Sequence, residues 1–176
     1  MAKVSEKAFI AEGAVIKGDV EIADHAVVLY NSVIRGDVVK ITIGEESNVQ
    51  DGCLIHGEQP VVIGKRVSLG HGVIIHGAQI ADNVLIGMGS IVMDGAEIGE
   101  NCLVAAGSLI TKGKKFPPNS LIMGSPAKVK RELTPEELES ISFNADLYLA
   151  VAIKHREELW DTPMDDIIAE VRNGRR

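Results

Sequence analysis

A six-residue repeat constrains the fold of this chain more than any other feature of its sequence. An apolar residue recurs at every sixth position from Ile10 to Ile122, with three residues inserted before Ile43, two inserted before Ile63 and one deleted before Ile80. The position four residues further on is nearly always small. Because an amphipathic α-helix repeats its apolar residues about every 3.6 positions, this spacing is not helical. The repeated apolar positions are Ile10, Ile16, Ile22, Val28, Ile34, Ile43, Val49, Ile55, Ile63, Leu69, Ile75, Ile80, Ile86, Val92, Ile98, Val104, Ile110, Phe116 and Ile122.

The repeat predicts an all-β solenoid whose large aliphatic and small residues point inward and stack from coil to coil. Three hexapeptides form one triangular coil, so we expect a parallel β-helix of about six to seven coils, spaced ~4.8 Å apart. The composition agrees, since 45% of the residues are hydrophobic but only 3% are aromatic, which favours a narrow, regular core. Cys53 and Cys102 occupy small inward positions, so we expect buried thiols with a structural role.

The repeat ends after Ile122, which predicts a β-helix at residues 1–127 and a C-terminal region at 128–176. The segment GSPAKVKREL (124–133) is interpreted as a loop that leads away from the β-helix. Thr134 then provides a helix N-cap, with proline next and a glutamate three residues after the cap.

This C-terminal helix should pack one face along the β-helix or on a neighbouring chain. Its apolar or aromatic face is predicted to contain Leu138, Ile141, Ala145, Tyr148, Val151 or Ala152, and His155. Thr162 and Pro163 predict the start of a short second helix, and the last four residues are expected to fray.

Charge and cysteine content exclude several classes of function. The net charge of −7 argues against a nucleic-acid partner, which would require a basic surface stripe. No apolar run approaches the ~20 residues of a membrane span, and the first residues lack the continuous apolar segment of a signal peptide. The two cysteines form no CxxC pair, so we expect a reduced, cytoplasmic protein without a membrane partner.

Three of the five histidines lie at fixed phases of the repeat. Grouping the hexapeptides into coils places Arg35, His56, His76 and Met93 in one vertical column. His56 and His76 should therefore be neighbours with backbones ~4.8 Å apart, close enough to share one metal ion. His25 and His155 do not belong to this column and are interpreted as polar surface residues.

The third phased histidine, His71, belongs to a different face of the coil. It lies two residues after Leu69, and its column partner one coil below is Asp51. One chain is not expected to bring all three imidazoles together. A second copy packed against the same edge could supply the missing one, so the phases predict a metal shared across a subunit interface of a cyclic assembly.

At these residues the sequence resembles the γ-class carbonic anhydrases and their relatives. The resemblance covers most of the chain and is carried by NSVIRGD (31–37), NVQDGCLIH (48–56) and GHGVIIHG (70–77). It implies a homotrimer of left-handed β-helices that interconverts CO₂ and bicarbonate through a metal-bound hydroxide. It also implies Zn²⁺, with Fe²⁺ or Co²⁺ as other occupants, held by His56 and His76 of one chain and His71 of the next.

The resemblance assigns roles to five further residues. Gln50 corresponds to the residue that orients the hydroxide, and Arg35 and Asp37 to an inter-subunit salt bridge. Asp51 corresponds to a supporting partner near the site, and Tyr148 to a helical tyrosine that lines the pocket.

The chain departs from the most active members of that family at the proton shuttle. Val38 stands where their pattern has a glutamate, and the loop 57–60 is short, with Glu58 as its acid. The sequence therefore supports metal binding better than fast CO₂ hydration. The alternatives are an acyl- or acetyltransferase that uses CoA, a thioesterase-like hydrolase, and a non-enzymatic, metal-stabilised trimeric assembly module.

Overall fold

A computed structural model describes residues 1–174 and shows a left-handed parallel β-helix of about seven coils, followed by helices. The predicted fold class is confirmed. The strands are β1 (Lys3–Val4), β2 (Phe9–Ile10), β3 (Val15–Ile22), β4 (Val27–Val28), β5 (Val33–Ile43), β6 (Asn48–Val49), β7 (Leu54–His56), β8 (Val61–Ile63), β9 (Ser68–Leu69), β10 (Ile74–His76), β11 (Gln79–Ile80), β12 (Leu85–Ile86), β13 (Ile91–Val92), β14 (Glu97–Ile98), β15 (Leu103–Val104), β16 (Leu109–Ile110), β17 (Lys115–Phe116), β18 (Ser120–Gly124) and β19 (Ala127–Glu132). The helices are α1 (Pro135–Arg156) and α2 (Met164–Arg172).

The inward columns are in register from coil to coil, as the repeat requires. Ile34 pairs with Ile55, Ile55 with Ile75, and Ile75 with Val92, and all four are fully buried. Parallel pairing therefore stacks each aliphatic side chain on the aliphatic side chain of the next coil. The removal of these side chains from water is the main free-energy term that favours folding.

The prism has three faces, which differ in what their outward residues offer. We name them the aliphatic face, the polar face and the helix face. The aliphatic face carries Val15, Val33, Leu54, Ile74, Ile91 and Leu109 in one ladder. The polar face carries Glu21, Thr42, Val62, Gln79, Glu97 and Lys115. The helix face carries Phe9, Val27, Asn48, Ser68, Leu85, Leu103 and Leu121. The helix α1 packs against this face near the first coils.

One corner of the prism absorbs the irregularities of the repeat. Between the aliphatic and polar faces, Gly18 pairs with Gly36 but Val20 pairs with Ile41, so the extra residues project at 37–40. The second insertion falls in the loop 57–60, at the same corner one coil higher. We call it the variable corner. Because the extra residues project outward, the inward columns stay in register.

The segment interpreted as a loop forms a strand instead. β19 pairs antiparallel with β18, with Ile122 opposite Val129, after a turn at Ser125 and Pro126. The pairing satisfies backbone groups at the end of the solenoid that a loop would have left to water. The loop interpretation is wrong, and the proposed boundary at 127/128, which falls within β19, remains a prediction.

The predicted helix start is confirmed. The Thr134 side chain accepts from the Glu137 amide at 3.3 Å, and the Glu137 carboxylate accepts from the Thr134 amide at 2.9 Å. The neighbouring Arg131 guanidinium and this amide lower the pKa of Glu137 to about 2. Ile141 and Ala145 of the predicted face are buried. The second helix, α2, is also confirmed, and residues 175 and 176 of the tail lie outside the described range.

His25 and His155 were both predicted to be surface residues, and the prediction is right for His25 and wrong for His155. His25 is an exposed corner residue with φ of 57°. His155 is half-buried: the Tyr30 hydroxyl lies 2.6 Å from its Nδ1, and the Trp160 ring packs edge-on with centroids 5.1 Å apart. The interpretation of His155 is wrong because the chain after α1 turns back over its side chain.

The two cysteines are free and buried, as expected. Burial raises the pKa of the Cys53 thiol to about 11 and also raises that of Cys102. Between residues 1 and 174, no helix is both long and apolar enough to cross a bilayer.

The stacked column makes a direct prediction about stability. We expect Ile75→Ala to lower the free energy of unfolding by about 2–5 kcal/mol, because the truncation leaves a cavity between two fixed coils. Val62→Ala on the polar face is the matched control and should change it by about 0.5 kcal/mol or less. Denaturant unfolding at equal chain concentration measures both, and equal losses would contradict the packing described here.

Candidate metal centre

His56 and His76 lie side by side at the variable corner. Strands β7 and β10 place them directly opposite each other, and their ring centroids are 5.4 Å apart. The predicted stacking is confirmed. It arises because each histidine follows an inward isoleucine of the same column, although 20 positions separate the two in sequence.

Each of these histidines also contacts a carboxylate. His76 Nδ1 lies 2.6 Å from Asp94 Oδ2, which leaves its Nε2 available. His56 Nε2 lies 3.1 Å from Asp37 Oδ1, which leaves its Nδ1 available. A carboxylate on one ring nitrogen fixes the orientation of the ring and makes the other nitrogen a better metal ligand.

Asp94 is a candidate functional residue that the sequence interpretation missed. Its side chain is largely buried and lies over Gly77, where an added Cβ would come within 2.1 Å of Oδ1. The Glu58 amide donates to the same oxygen at 3.1 Å. Burial raises the pKa of Asp94, but the hydrogen bonds from His76 and from this amide outweigh burial, so the pKa is lowered. The sequence signal was Gly77, the glycine that follows His76.

His71 lies at a different corner, between the helix face and the aliphatic face. Its Nδ1 is 2.9 Å from Asp51 Oδ2, and the Tyr148 hydroxyl is 3.4 Å from its Nε2. The Gly72 amide donates to the Asp51 carbonyl at 2.9 Å, which confirms that Asp51 is the column partner one coil below. Burial raises the pKa of Tyr148, so its hydroxyl is held as a neutral hydrogen-bonding group.

Gln50 is buried below this corner at the end of a side-chain hydrogen-bond chain. Its Nε2 donates to Asn48 Oδ1 at 3.1 Å, and Asn48 Nδ2 donates to Ser68 Oγ at 2.8 Å. The chain orients the Gln50 amide and uses its nitrogen. Its Oε1 is the atom left to accept a hydrogen bond from a polar ligand.

Arg35 and Asp37 pair with each other within the chain. The Arg35 guanidinium lowers the pKa of the Asp37 carboxyl, and the contact with His56 acts in the same direction. Asp37 therefore joins the Arg35 side chain to the histidine pair. An inter-subunit contact of these two residues remains a prediction.

Within one chain the three histidines do not form a single site. Across residues 1–174, no group of three or more His, Cys, Asp or Glu side chains is placed to hold a metal ion. Two imidazoles lie at one edge of the aliphatic face and the third lies at its other edge. The imidazoles themselves suit Zn²⁺, since nitrogen ligands with carboxylate partners are common at zinc sites.

The two positions at which the family resemblance predicts a proton shuttle, Val38 and Glu58, carry only one acidic side chain between them. Val38 projects at the variable corner and is 65% exposed. Glu58 contributes its backbone amide to Asp94, while the residue itself lies exposed in the loop 57–60. A shuttle role for the Glu58 carboxylate remains a prediction.

Comparisons with known proteins first establish the class of the chain. Residues 77–112 match the model "Bacterial transferase hexapeptide (six repeats)", and residues 60–93 match "Hexapeptide repeat of succinyl-transferase". A solved hexapeptide transferase family protein from Anaplasma phagocytophilum is 44% identical, with a TM-score of 0.84 over 86% of this chain and 90% of that one. The chain is thus a hexapeptide-repeat β-helix protein.

Relatives of known name then identify the family. A Methanocaldococcus jannaschii protein named "Probable carbonic anhydrase" is 56% identical, over 85% of this chain and 95% of its own length. A Geobacillus kaustophilus protein named "Carbonic anhydrase" is 46% identical, over 79% and 78% respectively. The chain belongs to the γ-class carbonic anhydrase-like family of hexapeptide-repeat proteins.

Asp94 provides a test of the candidate centre. We expect Asp94→Ala to weaken Zn²⁺ binding by about 10- to 100-fold, because His76 loses the partner that fixes its ring. Asp82→Ala is the matched control, since Asp82 also accepts a backbone hydrogen bond, from the Lys65 amide at 2.8 Å, but contacts no histidine. Competition with a zinc-sensitive dye measures both affinities, and equal values would remove Asp94 from the centre.

Proposed function

We propose that this protein is a trimeric γ-carbonic anhydrase-type metalloenzyme that interconverts CO₂ and bicarbonate at metal centres shared between chains. The observation that carries the proposal is the placement of His56 and His76 at one edge of the aliphatic face and His71 at the other edge. The 56% identity to a protein named "Probable carbonic anhydrase" supports the same reaction.

The aliphatic face supports the assembly. It presents six aliphatic side chains in one ladder, and Leu54 on it is 43% exposed. Of the other two faces, one is covered in part by α1 and the other carries mainly polar residues. Exposing an apolar face of this kind to water is unfavourable in free energy, so a second copy of the chain is expected to pack against it.

The two edges of the face explain why a closed ring would result. If the His71 edge of one chain meets the His56 and His76 edge of the next, each interface repeats the same pair of surfaces. Such a head-to-tail contact closes when the rotation between chains is one third of a turn, which suits a triangular prism. Three equivalent centres would form, each with three imidazoles.

The residues around the centre would divide the work. Bound Zn²⁺ would supply Lewis acidity and a water whose pKa is lowered to about 7, because three neutral ligands leave its charge intact. Asp94 would orient His76, and Asp51 and Tyr148 would orient His71. The Gln50 carbonyl oxygen would accept a hydrogen bond from a donor bound in the pocket and so position that donor. Fe²⁺ or Co²⁺ would suit the same nitrogen ligands.

Proton removal would limit the rate. Val38 has no ionisable group, and Glu58 is the acid of the adjoining loop. We therefore propose a slower enzyme than one with an acidic shuttle, or one in which external buffer carries the proton. Since its cysteines are free thiols, we also propose a cytoplasmic location.

Two other functions share this scaffold. The likeness to a hexapeptide transferase family protein favours a second candidate, acyl transfer from CoA in the groove between chains. The same activated water would also hydrolyse a thioester. A trimer that binds metal but lacks turnover would be an assembly module. Assays of CO₂ hydration, acetyl-CoA binding and thioester hydrolysis on the metal-loaded protein separate these outcomes.

Mixing two inactive variants tests the shared centre. We expect His71→Ala and His76→Ala each to lose metal and CO₂ hydration. Denatured together and refolded in equal amounts, they should regain about a quarter of the wild-type metal content and activity. Random association makes about three quarters of the trimers mixed, and each mixed trimer restores one of its three centres.

The control mixes the His71→Ala variant with a double variant that carries both Asp51→Ala and His71→Ala. Neither chain has His71, so this mixture should regain no metal content or activity. Recovery in this control, or its absence in the first mixture despite trimer formation, would contradict a centre built from two chains.

The aliphatic face provides a second test. We expect Leu54→Glu to convert the trimer into monomers, because a carboxylate would be buried at the centre of the interface without a partner. Val62→Glu, on the polar face at similar exposure, is the matched control and should leave the trimer intact. Analytical ultracentrifugation measures the mass of both, and a trimeric Leu54→Glu protein would place the interface elsewhere.

A further inference from the structure

A cleft of about 570 Å³ lies at the third corner of the prism, between its polar and helix faces. It opens between the first coils, α1 and α2. Its volume is in the range of small-molecule sites. The other two corners flank the aliphatic face and carry the histidines of the candidate centre. The cleft is therefore on the opposite side of the prism and would stay open to solvent in the proposed trimer.

The floor of the cleft is apolar. Side chains from β2, β4 and α1 form it, and α2 closes one end. These residues are Phe9, Val27, Leu149, Ala152, Ile153 and Val171. Such a surface would bury a short hydrocarbon or aromatic group.

The rim of the cleft is rich in cations, most of which are already paired. Arg66 binds Glu46 at 2.6 Å and Asp146 at 2.7 Å, and Arg172 also binds Asp146, at 2.9 Å. Lys7 binds Asp24 at 2.7 Å. Glu157 also lines the cleft and has an interaction of its own.

Arg156 differs from these cations. It forms no ion pair with any residue in the described part of the chain, although its Nη2 donates to the Lys7 carbonyl at 3.3 Å. Its guanidinium lies 5.9 Å from the Phe9 ring centroid, over the apolar floor. The ring and the carbonyl hold the guanidinium in place, while its remaining N–H groups can bind an anion. A carboxylate suits this geometry because it can accept two hydrogen bonds from one guanidinium.

We propose that this cleft binds a small amphipathic carboxylate, with its carboxylate on Arg156 and its apolar body on the floor beneath. The site is separate from the candidate metal centre and does not depend on the proposed reaction. A bound ligand would contact α1, α2 and the first coils at once, and so would link both helices to the N-terminal end of the prism.

Octanoate is a suitable probe for the test, with octan-1-ol and octylamine as matched compounds of neutral and opposite charge. The chain has one tryptophan, Trp160, which packs on His155 next to Arg156. Its fluorescence should report binding to the full-length protein. We expect octanoate to saturate one site per chain and to bind more tightly than either matched compound.

Variants assign the two parts of the site. Arg156→Gln should weaken octanoate about tenfold, the effect of losing a charge-assisted hydrogen bond, and should leave octan-1-ol unchanged. Val171→Phe should fill the cleft and reduce the binding of both compounds, with helicity by circular dichroism as the check on folding. Lys128→Gln removes one positive charge at the far end of the prism, so it is the matched charge control and should bind octanoate like the wild type.

Four results would overturn the proposal. One is no saturable octanoate binding, and another is octylamine binding as tightly as octanoate. The third is an Arg156→Gln protein that keeps full octanoate affinity. The fourth is uptake of several molecules per chain that Val171→Phe does not change, which would indicate non-specific adsorption. Metal content and trimer mass, measured in the same samples, report on the proposed function independently.

Discussion

The vertical register of the coils is the constraint on which the rest of the structure depends. Each inward residue rests on its equivalent one coil below, so a shift by one residue would turn a whole strand inside out. This register brings His56 and His76 together from positions 20 residues apart. It also aligns the outward residues of each face, so the aliphatic ladder follows from the stacking that fills the core. The fold, the histidine pair and the aliphatic face are thus consequences of one repeat.

The sequence predicts well whatever depends on that repeat alone. The coils, the inward columns, the histidine pair and the Asp51 partner of His71 could all be predicted by counting residues. The start of α1 was equally predictable, because Thr134 and Glu137 cap it through local hydrogen bonds. In each case the interaction is either periodic or within a few residues along the chain.

The features that escaped prediction depend on contacts that no period encodes. Asp94 fits beside His76 because Gly77 has no side chain, which would overlap the Asp94 carboxylate. Residues 127–132 form β19 because β18 offers an unpaired edge, although their charges and the preceding Ser125–Pro126 turn read as a loop. His155 is covered by Trp160, which the chain brings back after α1 ends. Each outcome was decided by a partner whose position the local sequence does not specify.

The variable corner explains how metal binding and turnover can separate in such a scaffold. The inward column fixes the positions of His56 and His76 side by side, whatever residues project at the corner beside them. The shuttle positions, Val38 and Glu58, lie instead in the projecting residues 37–40 and 57–60, which carry no inward side chain of the column. Substitutions of the exposed Val38 and Glu58 leave the packing of the core unchanged and cost little stability. A chain can therefore lose or gain acidic groups for proton transfer while its fold and its histidines stay the same. On the proposed function, the identity of the residues at Val38 and Glu58, rather than the histidines, would set how fast such a centre turns over.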